Sequence, residues 1–180
     1  MIMADYIYTF TGKKFYPLSP DSKDIDIADI AHALSLLCRA NGHFSSFHSV
    51  AQHCIECCNE AVERGYGSKV ALACLLHDAS EAYMSDVTTP VKNELAYYCK
   101  CEGLLIDLIF EKYVGRLSDD ELSMVWHLDK VLLHHEFYHF TGVKIGIDEE
   151  IITNPDFSFC SFEAVEKEFI RLFEKLTKEF

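Results

Sequence analysis

The stretch VALACLLHDASEAYMSD, residues 70–86, decides the reading of this chain. Its first seven residues are apolar without interruption and then run directly into the adjacent pair His77–Asp78. A helix this apolar buries an imidazole beside a carboxylate only where something compensates both groups. A divalent metal does so, because it accepts a neutral imidazole and a carboxylate together. Glu81 follows four residues after His77 and three after Asp78, so all three can share one helical neighbourhood. Asp86 falls in a loop just before Thr89-Pro90, which reads as an N-cap followed by the favoured first helical position. The plainer alternative is that Asp78 and Glu81 end a helix near solvent.

Outward from this stretch, the pattern is helical almost everywhere. Ile27, Ile30, Ala31, Leu34, Leu37 and Cys38 recur at helix spacing over residues 26–40, closed by Gly42. Ser49 and Gln52 make an S-x-x-Q capping box that opens a helix to about Arg64, ended by Gly65 and Gly67. The apolar helix itself is expected from about Ser68 to Tyr83. Ser118 and Glu121 form another capping box, opening a long helix to about Phe140, with Gly142 and Gly146 beyond it. Phe162, Val165, Phe169, Leu172, Phe173 and Leu176 line one face of a last helix over residues 161–178. Only the start differs: Tyr6, Tyr8 and Phe10 alternate, Gly12 turns, and Phe15 and Tyr16 follow, which predicts a β-hairpin within residues 1–20. The expected architecture is one all-α domain over 1–180, with a helical core at 24–145 and a small β appendage.

Two further segments carry histidine and acid. In FHSVAQHC, residues 47–54, His53 lies in the first turn after the Ser49 cap and His48 just before it. In WHLDKVLLHHE, residues 126–136, Asp129 is a lone acid amid apolar residues. Taken singly, each reads as a surface or capping group. Together they give the order H…HD…D on three separate helices. That order, with the blocks RANGHFSSFHSVAQH (39–53), LLHDASEAYMSDVTTPVK (75–92) and LDKVLLHHE (128–136), resembles the HD-domain superfamily of metal-dependent phosphohydrolases. The front segment, residues 8–39, resembles the start of a small bacterial and phage branch related to the 5′-deoxynucleotidases and the phage dATP triphosphohydrolases.

The resemblance implies an HD-domain helical bundle and a set of roles. His53, His77, Asp78 and Asp129 would bind one divalent metal ion; Mn, Co, Fe and Zn all suit such a mixed set. Glu81 would orient or activate the attacking water. Asp86 would act as a general acid/base or assist the leaving group. Arg39 would hold the phosphate, helped by Lys92. The expected activity is hydrolysis of a small nucleotide, a (deoxy)nucleoside 5′-monophosphate first. The alternatives are release of triphosphate from a dNTP, or a non-catalytic nucleotide sensor. Three positions depart from the branch: Ala40 stands where the deoxynucleotidases carry Trp after the Arg, His48 where Tyr is frequent, and Gln52 where Glu is frequent.

Composition bounds the rest. Sixteen Lys and Arg against 29 Asp and Glu leave a net charge of −13, which argues against a nucleic-acid polymer as partner. No apolar run approaches the ~20 residues that span a bilayer. The start MIMADYIYTF does not read as a secretory signal, so the expected location is cytoplasmic. The eight cysteines are accordingly read as reduced thiols, buried or incidental. Aromatic-rich ends offer a self-association surface, and the resemblance implies a homo-oligomer.

One rival motif must be weighed. HEFYH, residues 135–139, is H-E-x-x-H on a helix and continues to Gly142, as in zinc metalloproteases. There His135 and His139 would bind zinc with Glu136 as base. Against it, Ile145 holds the place of the third His, no Met follows Met124, and nine histidines make a chance match unsurprising. Glu136 equally fits the HD reading, as a supporting acid two turns after Asp129. A deaminase is excluded because the P-C-x-x-C half is absent.

Overall fold

In a computed structural model, which describes residues 5–146 and 149–179, the expected hairpin forms: β1 (Ile7–Tyr8) pairs antiparallel with β2 (Lys14–Phe15). Residues 1–4 of the predicted 1–20 segment lie outside the described residues. The hairpin is anchored through Phe15, fully buried and stacked on Tyr83 with ring centroids 3.9 Å apart.

Everything beyond is helix and loop. Helix α1 (Ile27–Leu36) is capped by the Asp26 side chain, which accepts from the Ala28 N–H. It stops four residues short of the predicted end, and the reason is tertiary. Leu37 and Cys38 turn extended and run beside the start of α2, with Val50 N donating to Leu37 O (3.0 Å) and Arg39 N to His48 O (2.9 Å). The chain then reverses through Ala40 and Asn41, both left-handed (φ 51° and 50°). Such a conformation costs an L-residue roughly 1–2 kcal/mol, and here it points Arg39 inward.

Helix α2 (Val50–Glu63) begins at the predicted capping box, with both Ser49–Gln52 hydrogen bonds made. Helix α3 (Ser68–Leu76) buries every residue from Val70 to Leu76. It ends at Leu76 rather than near Tyr83: a tight turn through 77–80 follows, and α4 (Glu81–Met84) starts as a separate turn of helix. The short α5 (Thr89–Lys92) takes Thr88, not Thr89, as its N-cap residue, with Pro90 in its first turn. Helices α6 (Ala96–Tyr113), α7 (Asp119–Thr141) and α8 (Phe162–Thr177) complete the order, and α7 opens on the predicted Ser118–Glu121 box.

Helix α3, apolar from Val70 onward, lies at the centre, packed by α2, α6, α7 and α8. This explains why it shows no amphipathic pattern: beyond its first turn, where Ser68 and Lys69 reach the surface, no side of it meets water. Helix α8 closes the core with Val165, Phe169, Leu172 and Leu176. The molecule is therefore mostly helical with one two-stranded hairpin. Among the described residues no helix is long and apolar enough to cross a membrane.

Candidate metal centre

Three helices converge where α3 ends. His53 comes from the first turns of α2, His77 and Asp78 from the turn after α3, and Asp129 from the middle of α7. Asp129 Oδ1 lies 3.1 Å from His53 Nε2 and 3.6 Å from His77 Nε2, and Asp78 Oδ2 lies 3.4 Å from His77 Nε2. The four residues named as ligands are thus brought together.

The arrangement fits a cation. His77 Nδ1 donates to the Cys74 carbonyl oxygen at 2.7 Å. A carbonyl only accepts, so Nδ1 carries the proton and Nε2 presents a lone pair. That Nε2 is buried and has no hydrogen-bond partner among the described residues. His53 is set the same way, its Nδ1 against Glu136 Oε1 at 2.5 Å, the carboxylate–imidazole pairing that orients metal-binding histidines. Lone pairs and carboxylate oxygens therefore face one another. Two of their spacings, 3.1 and 3.4 Å, fall within the roughly 3.0–3.4 Å between donors bonded at about 2.1 Å to one small cation, and the third, 3.6 Å, lies just beyond it. Two neutral imidazoles and two carboxylates together balance one divalent charge. Burial pushes both imidazoles down, yet the carboxylates beside them outweigh it and raise both, so the site demands positive charge. For Asp129, burial is likewise overcome, here by the His53 and His77 imidazoles beside it, and its carboxyl is held well below the usual range.

Two cysteines approach the same atoms. Cys57 groups with His53 and His77, and Cys54 with His77 and Asp78, each set within 4.8 Å. Burial pushes the Cys54 thiol up to about 11 and the Cys57 thiol well above its ordinary value. The thiolate is the ligating form, so the carboxylates are the better donors. The thiols are not uniformly buried: Cys38 and Cys99 are exposed, and all eight are free of disulfides.

A cleft of about 340 Å³ opens above the cluster, within the size range of small-molecule sites. Arg39, Asp78, Glu81, Asp86, Lys92 and Asp129 all line it, so six of the eight residues assigned a role share one space, while His53 and His77 are buried and do not line it. Arg39 is nearly buried, with its guanidinium 3.5 Å from Asp78 and 3.3 Å from Glu136. Glu81 is 5% exposed and its Oε2 has no hydrogen-bond partner among the described residues. Burial, then Asp78 and Asp86, raise its carboxyl well above the ordinary value. Burial also raises Asp86. Lys92 reaches the cleft while paired with Glu102 at 2.9 Å.

The cleft lining also has an apolar part that the sequence reading did not single out: Phe44 and Phe137, ring centroids 5.2 Å apart, with Leu133 and Ile145. Glu56 was missed as well. Its signal was a lone acid between apolar and cysteine neighbours in CIECC. In the HEFYH segment Glu136 turns into the core to hold His53 and Arg39, while His135 Nε2 donates to the Glu149 carbonyl and His139 lies exposed against Phe140 and Phe157.

No family model matches the chain. It is 43% identical over 108 residues to the uncharacterized protein YfdR of Escherichia coli (strain K12), covering 60% of this chain and 58% of that protein. It is 40% identical over 86 residues to an uncharacterized protein of Rhodobacter capsulatus, covering 46% of this chain and 44% of that protein. The chain thus spans about half the length of the curated relatives it matches.

Proposed function

We propose that this chain is a metal-dependent phosphohydrolase of the HD-domain type, acting in the cytoplasm on a small nucleotide, first a (deoxy)nucleoside 5′-monophosphate. The observation that carries the reading is the convergence of His53, His77, Asp78 and Asp129 around the partnerless His77 Nε2. A divalent cation held by these four would supply Lewis acidity, making water a nucleophile near neutral pH and offsetting phosphate charge. Arg39 presents a planar fork of donors to a phosphate entering the cleft. Its partners Glu136 and Asp78 hold that fork in place. Glu81, raised toward neutrality, is suited to take a proton from the attacking water and return one. Asp86 stands on the same wall to protonate the leaving oxygen, and Lys92 adds positive charge at the rim. Phe44 and Phe137, packed edge to face, offer apolar ring surface to a base. The eight free thiols suit a reducing compartment, and the exposed aromatic residues Tyr8, Phe10 and Phe162 support self-association as a homo-oligomer.

The test is a panel of ribo- and deoxyribonucleoside mono-, di- and triphosphates incubated with Mn²⁺ or Co²⁺, with products separated by ion exchange. Inorganic phosphate from monophosphates is the expected result. Triphosphate release would move the substrate to dNTPs. Saturable binding without turnover would replace the enzyme by a sensor.

A further inference from the structure

Against Glu136 lie two further ligand-type groups, His48 and Glu56, that the proposed chemistry leaves unused. We propose that His48, Glu56 and Glu136 form a second site for a first-row divalent cation, entered from a cavity between α2, α8 and the 153–160 loop. Their donor atoms lie within 4.8 Å of one another. His48 Nε2 is 3.6 Å from Glu56 Oε2 and 3.5 Å from Glu136 Oε1. These separations exceed direct hydrogen bonds, which run to about 3.2 Å. They match the roughly 3.4 Å between donors bonded at about 2.1 Å to one tetrahedral cation.

Two of the three, His48 and Glu56, also present donor atoms with no hydrogen-bond partner among the described residues. His48 is 1% exposed, and neither ring nitrogen makes a hydrogen bond among the described residues. Glu56 Oε2 is buried and equally unsatisfied. A buried polar atom left so is costly, and here two of them, His48 Nε2 and Glu56 Oε2, face each other. Glu136 Oε1 gives one lone pair to His53 and keeps a second for this side. One imidazole and two carboxylates form a set of mixed nitrogen and oxygen donors that suits Mn²⁺, Fe²⁺ or Zn²⁺. Access is present: Glu56 also lines a cavity of about 310 Å³ whose wall includes Asn59, Asn154, Asp156 and Glu168. An ion here would fix the carboxylate that orients His53 and Arg39, and so tie the cavity to the cleft.

This site stands apart from the phosphohydrolase reading. The experiment is equilibrium dialysis of the metal-stripped chain against micromolar Mn²⁺, joined to anomalous scattering from Mn²⁺-soaked wild-type crystals. Two equivalents are expected for wild type, falling to one in His48→Gln, in Glu56→Gln and in Asp78→Ala, with a peak among His48, Glu56 and Glu136. A single equivalent unaffected by His48→Gln, with a peak only at His53, His77, Asp78 and Asp129, overturns the second site and leaves the first standing. A proton on His48 then bridges the two carboxylates. A peak only beside His48 supports the second site and removes the first.

Discussion

Replacing Glu81 with glutamine should slow the enzyme and stabilise the fold. Glu81 is buried at 5% exposure with one carboxylate oxygen unpartnered, facing the like charges of Asp78 and Asp86. Glutamine keeps the volume, removes the buried charge and offers an amide N–H to those two carboxylates. Removing the penalty of one unsatisfied buried group is worth about 1–3 kcal/mol. For a chain of this length that raises Tm by roughly 2–4 °C per kcal/mol. The pH dependence has a definite sign. A carboxyl raised in the folded state carries no penalty below its unfolded value of 4.5, and the penalty grows as pH climbs from there through the folded value. The variant's advantage should therefore appear at neutral pH and fade as pH approaches 4.5. Turnover moves the other way. Loss of a positioned general base costs roughly 10²–10⁴ in rate, about 2.7–5.4 kcal/mol of barrier. The assays are thermal unfolding of the metal-free protein across pH and steady-state kinetics with Mn²⁺, alongside a check that bound Mn²⁺ is unchanged. A kcat within threefold of wild type, or a lower Tm at neutral pH, would refute this account of Glu81.

Other expectations are equally concrete. Asp78→Ala should remove one equivalent of bound cation together with turnover, while His139→Ala leaves both intact; the opposite result in metal analysis would hand the chemistry to HEFYH. Glu60 is fully buried and accepts from Ile152 N, Thr153 N, Thr153 Oγ1 and Arg64. These bonds outweigh burial and hold its carboxyl down at about 2. Its contribution is thus complete above pH 4.5 and lost as pH falls toward 2. Glu60→Gln should cost about 1–3 kcal/mol at pH 7 in urea titrations, with the gap to wild type narrowing in acid. Leu72, fully buried at the centre of α3, should lose about 2–5 kcal/mol on change to Ala, read by the same titrations; a loss under 1 kcal/mol would mean that α3 is not the core.

What the sequence determined by itself is what short-range chemistry decides. The Ser49–Gln52 and Ser118–Glu121 boxes start α2 and α7 where predicted, because both partners of each cap lie within one turn. The hairpin and the amphipathic α8 follow from periodicities of a few residues. Within the site only the His77–Asp78 pair was legible by itself, since an apolar helix that buries both needs compensation; His53 and Asp129, which singly read as surface or capping groups, were picked out through the resemblance of their sequence blocks. Tertiary structure alone decided the rest. Periodicity carried α1 to residue 40, but backbone hydrogen bonds to His48 and Val50 pull Leu37 and Arg39 out of the helix and aim the guanidinium at Asp78 and Glu136. Glu136 sits within an H-E-x-x-H string, yet it serves His53, 83 residues away in the chain. His48 and Glu56 meet it only because α2 and α7 pack side by side. A local pattern records what a residue can bond within a turn of itself; which buried charge answers which is settled only when distant helices close over them and exclude water.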